Sequence, residues 1–162
     1  MIPQPRAECT SVIFAALIMV GCTAARPSNL GVVAGKLSPC PSAPHCVSTQ
    51  ASDPDHRVAP AAYSTGRDDA RKRLISIIRS MPRETVVTET SDYIHAEFPT
   101  RIVEIFGCAD DLEVYLDDRE KLVHFRSASR IRYYDFGANR SRVETLREKF
   151  LAATGPDSRI SP

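Results

Sequence analysis

The chain has 162 residues and a formal net charge of +1, and 25% of its residues are charged. That length suffices for one compact domain and hardly for two. The balanced charge describes an ordinary soluble surface and argues against nucleic acid as a partner, because general polyanion binders carry a basic excess.

The start of the chain has the pattern of a bacterial lipoprotein signal. Arg6 supplies a positive charge, and a short apolar core runs over residues 11–20. This core cannot span a bilayer, which needs about 20 residues. It ends at Gly21-Cys22, so we predict a signal peptide over residues 1–21. An uncleaved anchor and a cytosolic chain are the alternatives.

Cys22 is the predicted lipidation site. Its acyl chains would hold the protein on a membrane surface, on the periplasmic side of the cell envelope. Thr23 follows it where an aspartate would favour inner-membrane retention, so the outer membrane is slightly favoured. Residues 22–37 contain Pro27, Gly31 and Gly35 among small and polar residues, a composition typical of a flexible tether.

The remaining cysteines predict one disulfide. Cys40 and Cys46 enclose a short loop with two prolines, and a bridge there would add about 2 kcal/mol by the chain-entropy relation. A metal site with His45 is the alternative, although this spacing matches no common zinc pattern. Cys108 has no base or cation near it in sequence, which favours a small buried apolar residue over a nucleophile.

Prolines and helical periodicity organise the middle of the chain. Five prolines within residues 38–63 exclude a regular helix and predict a stapled loop that wraps the domain. A helix should then start near Thr65 and Asp68 and end at Pro82. Its apolar positions recur at helical spacing, at Ala70, Leu74, Ile77, Ile78 and Met81.

Two hairpins and a second helix complete the predicted fold. The hairpins join residues 84–90 to 93–98 and residues 112–116 to 122–129. Ser141 and Glu144 have capping-box spacing at the start of the last helix. The order α-β-β-β-β-α predicts an α+β single domain over residues 38–154, with a four-stranded mainly antiparallel sheet, both helices on one face and the proline-rich stapled loop ahead. We expect a disordered tail over residues 155–162.

Several motifs occur in an order that resembles a known family. They are Cys40-Pro41, Cys46-Val47-Ser48, His56-Arg57-Val58, Tyr93 to Phe98, Asp110 to Glu113, Arg126 to Arg130, Asp135, Gly137, Asn139-Arg140 and Arg142. Together they resemble the bacterial family catalogued as domain of unknown function 1499, over roughly residues 38 to 151. Members of that family also occur as lipoproteins or membrane-attached proteins. The resemblance implies no established activity, cofactor or ligand.

Strand alternation predicts a polar sheet face away from the helices. Its members are Tyr93, His95, Glu97, Glu113, Tyr115, His124 and Arg126. The face is either solvated, with cross-strand ion pairs, or a site covered by the stapled loop. His95, Glu97, Glu113 and His124 form the alternative site, where they could hold a metal or perform acid-base hydrolysis.

A cluster of arginines predicts an anion site. Arg140 and Arg142 flank Ser141 at a helix N-terminus, where the helix dipole favours anions over cations. Arg126 and Arg130 on the preceding strand could join them and bind phosphate or carboxylate. The alternative is internal pairing with Asp110, Asp111 or Asp135.

These patterns favour a binding protein over an enzyme. The chain has no Gly-x-Ser-x-Gly, no glycine-rich phosphate loop and no His-Glu-x-x-His, so no cofactor, metal or catalytic residue is predicted. We expect a membrane-anchored module whose ligand is an anionic small molecule, a lipid headgroup or an envelope protein. A hydrolase or metal-dependent enzyme using the sheet face is the competing hypothesis.

Overall fold

The structure is a computed structural model that describes residues 25–99, 109–130 and 135–154. The predicted signal peptide, the lipidation site Cys22, Cys108 and the predicted tail over residues 155–162 lie outside these ranges. None of the helices within the described ranges combines the length and the apolar character needed to cross a bilayer.

The described residues form eight strands and two helices. In chain order they are β1 Val32–Val33, β2 Lys36–Leu37, β3 Cys46–Ser48, β4 Ala61–Ala62, α1 Arg67–Arg79, β5 Thr85–Glu89, β6 Tyr93–Pro99, β7 Ala109–Asp117, β8 Leu122–Ser129 and α2 Ala138–Thr154. The predicted α+β class, both long helices and both hairpins are confirmed.

The main sheet has six strands, so the prediction of four is wrong. Its order is β3-β8-β7-β6-β5, and β4 pairs with β8 as well. All of these pairs are antiparallel. The extra strands come from the proline-rich segment, and the order therefore differs from α-β-β-β-β-α. They span three and two residues, too short for an alternation pattern to be recognised in sequence.

Both helices pack on one sheet face, as predicted. The core joins Leu74 and Ile78 of α1 and Leu146 of α2 to Leu112 and Phe125 of the sheet, all of them at 0% exposure. The alternation in the strands holds, because Ile94, Val114 and Val123 also lie in this core. One side of the sheet is therefore filled by apolar packing, which leaves the opposite side for polar residues.

α1 begins at Arg67, where the sequence predicts a helix start, whereas the start of α2 differs from the prediction. Gly66 precedes α1 without a side-chain cap, and Ser80 ends it with its N–H bonded to Ile77 and Ser76 carbonyls. α2 begins at Ala138, so the capping box at Ser141 is wrong. Instead the Asp135 carboxylate accepts the N–H groups of Gly137 and Asn139, each at 3.0 Å. An acidic cap satisfies these donors and suits the helix dipole.

Candidate functional site

The sheet face opposite the helices is buried, so the solvated interpretation of that face is wrong. Glu113 is 0% exposed, Asp111 1% and His95 2%. Arg126 and His124 on β8 are buried as well. Charged groups removed from water cost free energy unless they are paired, so their partners decide what this face can do.

Residues 25–37, here called the strap, cover part of this face. The Gly31 N–H donates to Glu113 Oε1 at 2.8 Å, and Arg26 Nε donates to Glu97 Oε1 at 2.9 Å. Gln50 anchors the end of the strap by accepting from Leu37 N at 2.8 Å and donating to the Gly35 carbonyl at 3.1 Å. The strap therefore covers part of the polar sheet face, although its composition predicts a flexible tether. From the sequence, the stapled loop is the candidate cover for this face.

Glu113 is the centre of the first polar cluster on this face. Tyr93 Oη donates to its Oε1 at 2.9 Å, and Arg126 Nη1 donates to its Oε2 at 2.8 Å. Burial and the adjacent Glu113 charge raise the pKa of Tyr93, so the phenol stays protonated as a donor. With the Gly31 N–H, three donors satisfy the carboxylate, which favours a structural role.

His95, Glu97, Asp111 and Arg130 form the second polar cluster. His95 Nε2 lies 2.8 Å from Asp111 Oδ1. Arg130 donates to both Asp111 oxygens, at 2.7 and 2.9 Å, and to Glu97 Oε1 at 2.5 Å. Burial acts to raise the pKa of Asp111, but hydrogen bonds from Arg130 and His95 outweigh it and lower that pKa.

The predicted four-residue site on the sheet face does not assemble. His95 pairs across the strands with Glu113, whereas His124 lies opposite Tyr115 and stacks on its ring. Glu97 and Glu113 are each held by an arginine. His124 instead faces a separate cleft beside the strap.

The predicted arginine site is divided among three places. Arg126 and Arg130 pair with carboxylates on the buried face. Arg142 lies on the helix side, where Nη2 donates to Asp110 Oδ2 at 2.7 Å and the guanidinium covers the Phe98 ring at 4.6 Å. Arg130 and Arg142 thus follow the predicted internal pairing with Asp111 and Asp110, whereas Arg126 pairs with Glu113, which was not among the predicted partners. Ser141 is exposed, and its N–H bonds to the Gly137 carbonyl.

Arg142 is also part of a buried hydrogen-bond network. Its Nη1 donates to Ser127 Oγ at 2.9 Å and to Asn139 Oδ1 at 2.7 Å. Asn139, at 0% exposure, also donates to the His45 carbonyl at 3.1 Å. This network joins α2 to β8 and to the stapled loop. Asn139 lies in one of the family motifs but was not predicted as a site residue.

Arg140 differs from the other predicted arginines because it reaches an open cleft. The cleft has a volume of about 690 Å³ and lies between the stapled loop and α2. Arg140 Nη1 donates to the Arg57 carbonyl at 2.9 Å and Nη2 to the Asp55 carbonyl at 2.7 Å. Its nearest carboxylate within the described ranges is Glu144, at 3.9 Å.

Arg57 lines the same cleft and was not predicted as a site residue. Its Nε donates to the Ala51 carbonyl and its Nη2 to the Ser52 carbonyl, each at 3.0 Å. Among the described residues it forms no ion pair. The motif His56-Arg57-Val58 was visible in sequence, but nothing in it showed that Arg57 would meet Arg140.

The stapled loop that carries Arg57 is held at both ends. The sulfur atoms of Cys40 and Cys46 lie 2.04 Å apart, which confirms the predicted disulfide and excludes the metal alternative for these thiols.

His56 Nδ1 lies 2.6 Å from Asp53 Oδ1, and Nε2 lies 3.1 Å from the Ala43 carbonyl. The hydrogen bond to Asp53 raises the pKa of His56. These bonds fix the backbone carbonyls that orient the two arginines.

Comparison with known proteins identifies a family and no relative of known function. The profile of a family described as protein of unknown function (DUF1499) matches residues 36–150. Neither the curated proteins nor the solved structures contain a match to this chain. The matched range begins at β2 and contains Arg57 and Arg140, so the cleft lies within the domain that defines the family.

Proposed function

We propose that the domain of this DUF1499 protein is a non-catalytic module that binds an anionic component of the cell envelope. The chain belongs to that family, because the match over residues 36–150 covers most of its 162 residues. We further propose that lipid on Cys22 holds the module at a membrane surface. The ligand carries a phosphate or carboxylate group and binds in the cleft of Arg57 and Arg140.

One observation carries this proposal: Arg57 and Arg140 are oriented by backbone carbonyls, while the other candidate arginines are neutralised by carboxylates. Arg126, Arg130 and Arg142 each have a carboxylate oxygen within 2.8 Å. At the cleft, by comparison, Arg140 Nη1 lies 3.9 Å from Glu144 Oε1. Two positive charges thus line the cleft in fixed positions, and among the described residues their carboxylate contact is Glu144, which lines the same cleft but lies beyond hydrogen-bond distance of Arg140.

The geometry of these guanidiniums suits an anion. Arg57 uses Nε and one Nη for backbone bonds, and Arg140 uses its two Nη groups. Each guanidinium has five N–H donors, so several remain on each side chain. Arginine donors in a fixed fork match the oxygen spacing of phosphate and carboxylate, and a preorganised site spends less entropy on binding.

The buried sheet face supports a non-catalytic role. His95, Glu97 and Glu113 are the candidates there for acid, base or nucleophile, and each is held by an internal partner. A carboxylate with three donors has little capacity left for a substrate. The same contacts explain how charged side chains can line a buried face.

The strap supports a position of the proposed lipid close to the domain. Arg26 lies four positions after Cys22 and binds Glu97 at the sheet. An extended chain spans at most about 3.5 Å per residue, so the lipidated cysteine would lie within about 14 Å of Arg26. The module would therefore sit at the membrane surface.

The proposal can be tested by titrating the full-length protein, in zwitterionic detergent micelles, with inorganic phosphate. NMR signals of the arginine Nε–H groups report each guanidinium. We expect saturable shifts at Arg57 and Arg140 with a Kd of about 1 mM for so small a probe. The double variant Arg57→Gln, Arg140→Gln keeps polar donors but removes both charges, and it should bind at least about tenfold more weakly.

Arg79→Gln is the matched control, because Arg79 is exposed on α1 and does not line the cleft. This variant should bind phosphate like the unmodified protein. The backbone amides that line the cleft report phosphate binding in the double variant, which lacks both guanidinium signals, and equal affinity in the two proteins would contradict the proposal. A double variant that is unfolded by circular dichroism would be replaced by the single Arg140→Gln variant, for which the same loss is expected.

A further inference from the structure

A second cleft, separate from that of Arg57 and Arg140, lies where the strap meets the β7–β8 turn. It has a volume of about 450 Å³. Asp117 ends β7, Glu120 lies in the turn and His124 lies on β8, and all three line this cleft. Each offers one ligand atom, and these atoms all lie within 4.8 Å of one another.

His124 is held in the orientation that a metal ligand needs. It is 9% exposed, and its Nδ1 lies 3.1 Å from Thr49 Oγ1. Thr49 Oγ1 accepts a hydrogen bond from the Phe125 N–H at 3.1 Å. The Thr49 hydroxyl can in turn donate to the Phe125 carbonyl at 3.4 Å. This arrangement accommodates the tautomer with the imidazole proton on Nδ1, in which Nδ1 donates to Thr49. Nε2 then keeps its lone pair and has no protein partner among the described residues.

The hydrogen bond to Thr49 also fits the form of the ring that binds metals. A ring that is neutral at neutral pH, with Nδ1–H bonded to an oxygen, is the form in which histidine binds metals through Nε2. Thr49 therefore takes the place of the outer-shell acceptor found at metal sites.

The two carboxylates have free oxygens. Asp117 Oδ1 accepts the N–H groups of Arg119 at 2.9 Å and Glu120 at 3.2 Å, which leaves Oδ2. Glu120 is exposed and forms no ion pair within the described ranges. By contrast, a second grouping of this kind among the described residues, His95, Glu97 and Asp111, already holds the Arg130 guanidinium between its carboxylates.

We propose that Asp117, Glu120 and His124 bind a divalent transition-metal ion, for which Zn²⁺ is the probe. One imidazole and two carboxylates are a ligand set that Zn²⁺ accepts, with a fourth tetrahedral position open to the cleft. Mg²⁺ and Ca²⁺ prefer sites made of oxygen alone, so the imidazole selects against them. Lys36 and Arg119 line the same cleft, and their positive charges lower the affinity of the site for a cation.

The test is isothermal titration of Zn²⁺ into the full-length protein in detergent, with its free thiols blocked by N-ethylmaleimide. We expect one site with a Kd of about 1 µM. Glu120→Gln removes an exposed carboxylate without touching the core and should weaken binding at least about tenfold, as should His124→Gln. Thr49→Val keeps the shape of the side chain and removes the acceptor for Nδ1, and a loss of about tenfold is expected.

Asp118→Asn is the matched control, because Asp118 lies in the same turn but bonds to Tyr63 and Lys121. This variant should bind Zn²⁺ like the unmodified protein. In ¹⁵N-labelled protein, Zn²⁺ should shift Nε2 of His124 and leave His95 unchanged. The site is refuted by absent Zn²⁺ binding, by unchanged affinity in Glu120→Gln, or by Mg²⁺ binding as tightly as Zn²⁺.

Discussion

The guanidinium of Arg130 binds both carboxylate oxygens of Asp111, with Nη2 at 2.7 Å from Oδ1 and Nε at 2.9 Å from Oδ2. The Arg130 side chain is 10% exposed and that of Asp111 2%. Both hydrogen bonds of this bidentate pair have good geometry. Removing one partner is costly, because the charge of the other partner then stays buried without its counter-charge.

Replacing Arg130 by Ala should therefore destabilise the domain severely. Among the described residues, Asp111 would keep His95 as its side-chain partner, and Glu97 would keep Arg26. We expect the free energy of unfolding to fall by about 3 kcal/mol. Urea unfolding followed by circular dichroism measures the change. Lys72→Ala, on the exposed side of α1, should change it by less than about 0.5 kcal/mol. Equal effects of the two variants would show that the pair contributes no net stability.

The His56 and Asp53 pair should make stability depend on pH. Since the pKa of His56 is raised by its hydrogen bond to Asp53, its contribution is complete below its unfolded pKa of about 6.5 and is lost as pH rises through the folded pKa. The pKa of Asp53 is lowered by the same bond, so its contribution is present above pH of about 3.9 and is lost as pH falls through the folded pKa.

Unfolding free energies of the unmodified protein and His56→Gln, compared between about pH 5 and pH 9, test this dependence. The difference between the two proteins should be larger at the acidic end of that range and should shrink as pH rises. A difference that is constant or grows with pH would contradict the assigned direction of the His56 pKa.

The disulfide should stabilise the domain by a modest amount. Cys40 and Cys46 are separated by six positions, and closing so short a loop is worth about 2 kcal/mol in the chain-entropy relation. A reductant should therefore lower the unfolding free energy by about that amount. The double variant Cys40→Ala, Cys46→Ala should be unaffected by reductant. An identical response of the two proteins would mean that the reductant acts elsewhere.

Gln50 should control how firmly the strap is held. Its side chain bonds both Leu37 N and the Gly35 carbonyl, so Gln50→Ala removes two hydrogen bonds worth about 1 kcal/mol each. We expect the Leu37 amide to exchange at least about tenfold faster. Exchange within β6 and β7 should not change. Thr88→Ala on β5 is exposed and should leave Leu37 protection unaltered; faster exchange throughout the sheet in Gln50→Ala would instead indicate global destabilisation.

Much of the fold could be predicted because it depends on local patterns. Period-3.6 spacing identified α1, and period-2 spacing separated Ile94 and Ala96 from His95. Loop proximity was enough to pair Cys40 with Cys46. These features involve residues close together in the chain, so a short window of sequence contains the physical cause.

The candidate site depended on contacts between distant residues. From the sequence, Arg142 could pair with several aspartates. In the structure, the strand register pairs Arg142 with Asp110 and Arg130 with Asp111. Arg140 met a carbonyl of Arg57, 83 positions away. A one-residue change of register would reverse which side chains share a face. Such choices depend on packing and not on composition.

The sequence by itself determined the α+β class, the two long helices, the two hairpins, the disulfide pair and the polar character of one sheet face. Only the tertiary structure decided that β3 and β4 extend the sheet, that the strap covers the polar face, and which arginines remain available at a cleft. The reason is physical. Secondary structure follows from the periodicity of neighbouring residues, whereas the partner of each buried charge depends on the lowest-energy packing of the whole chain.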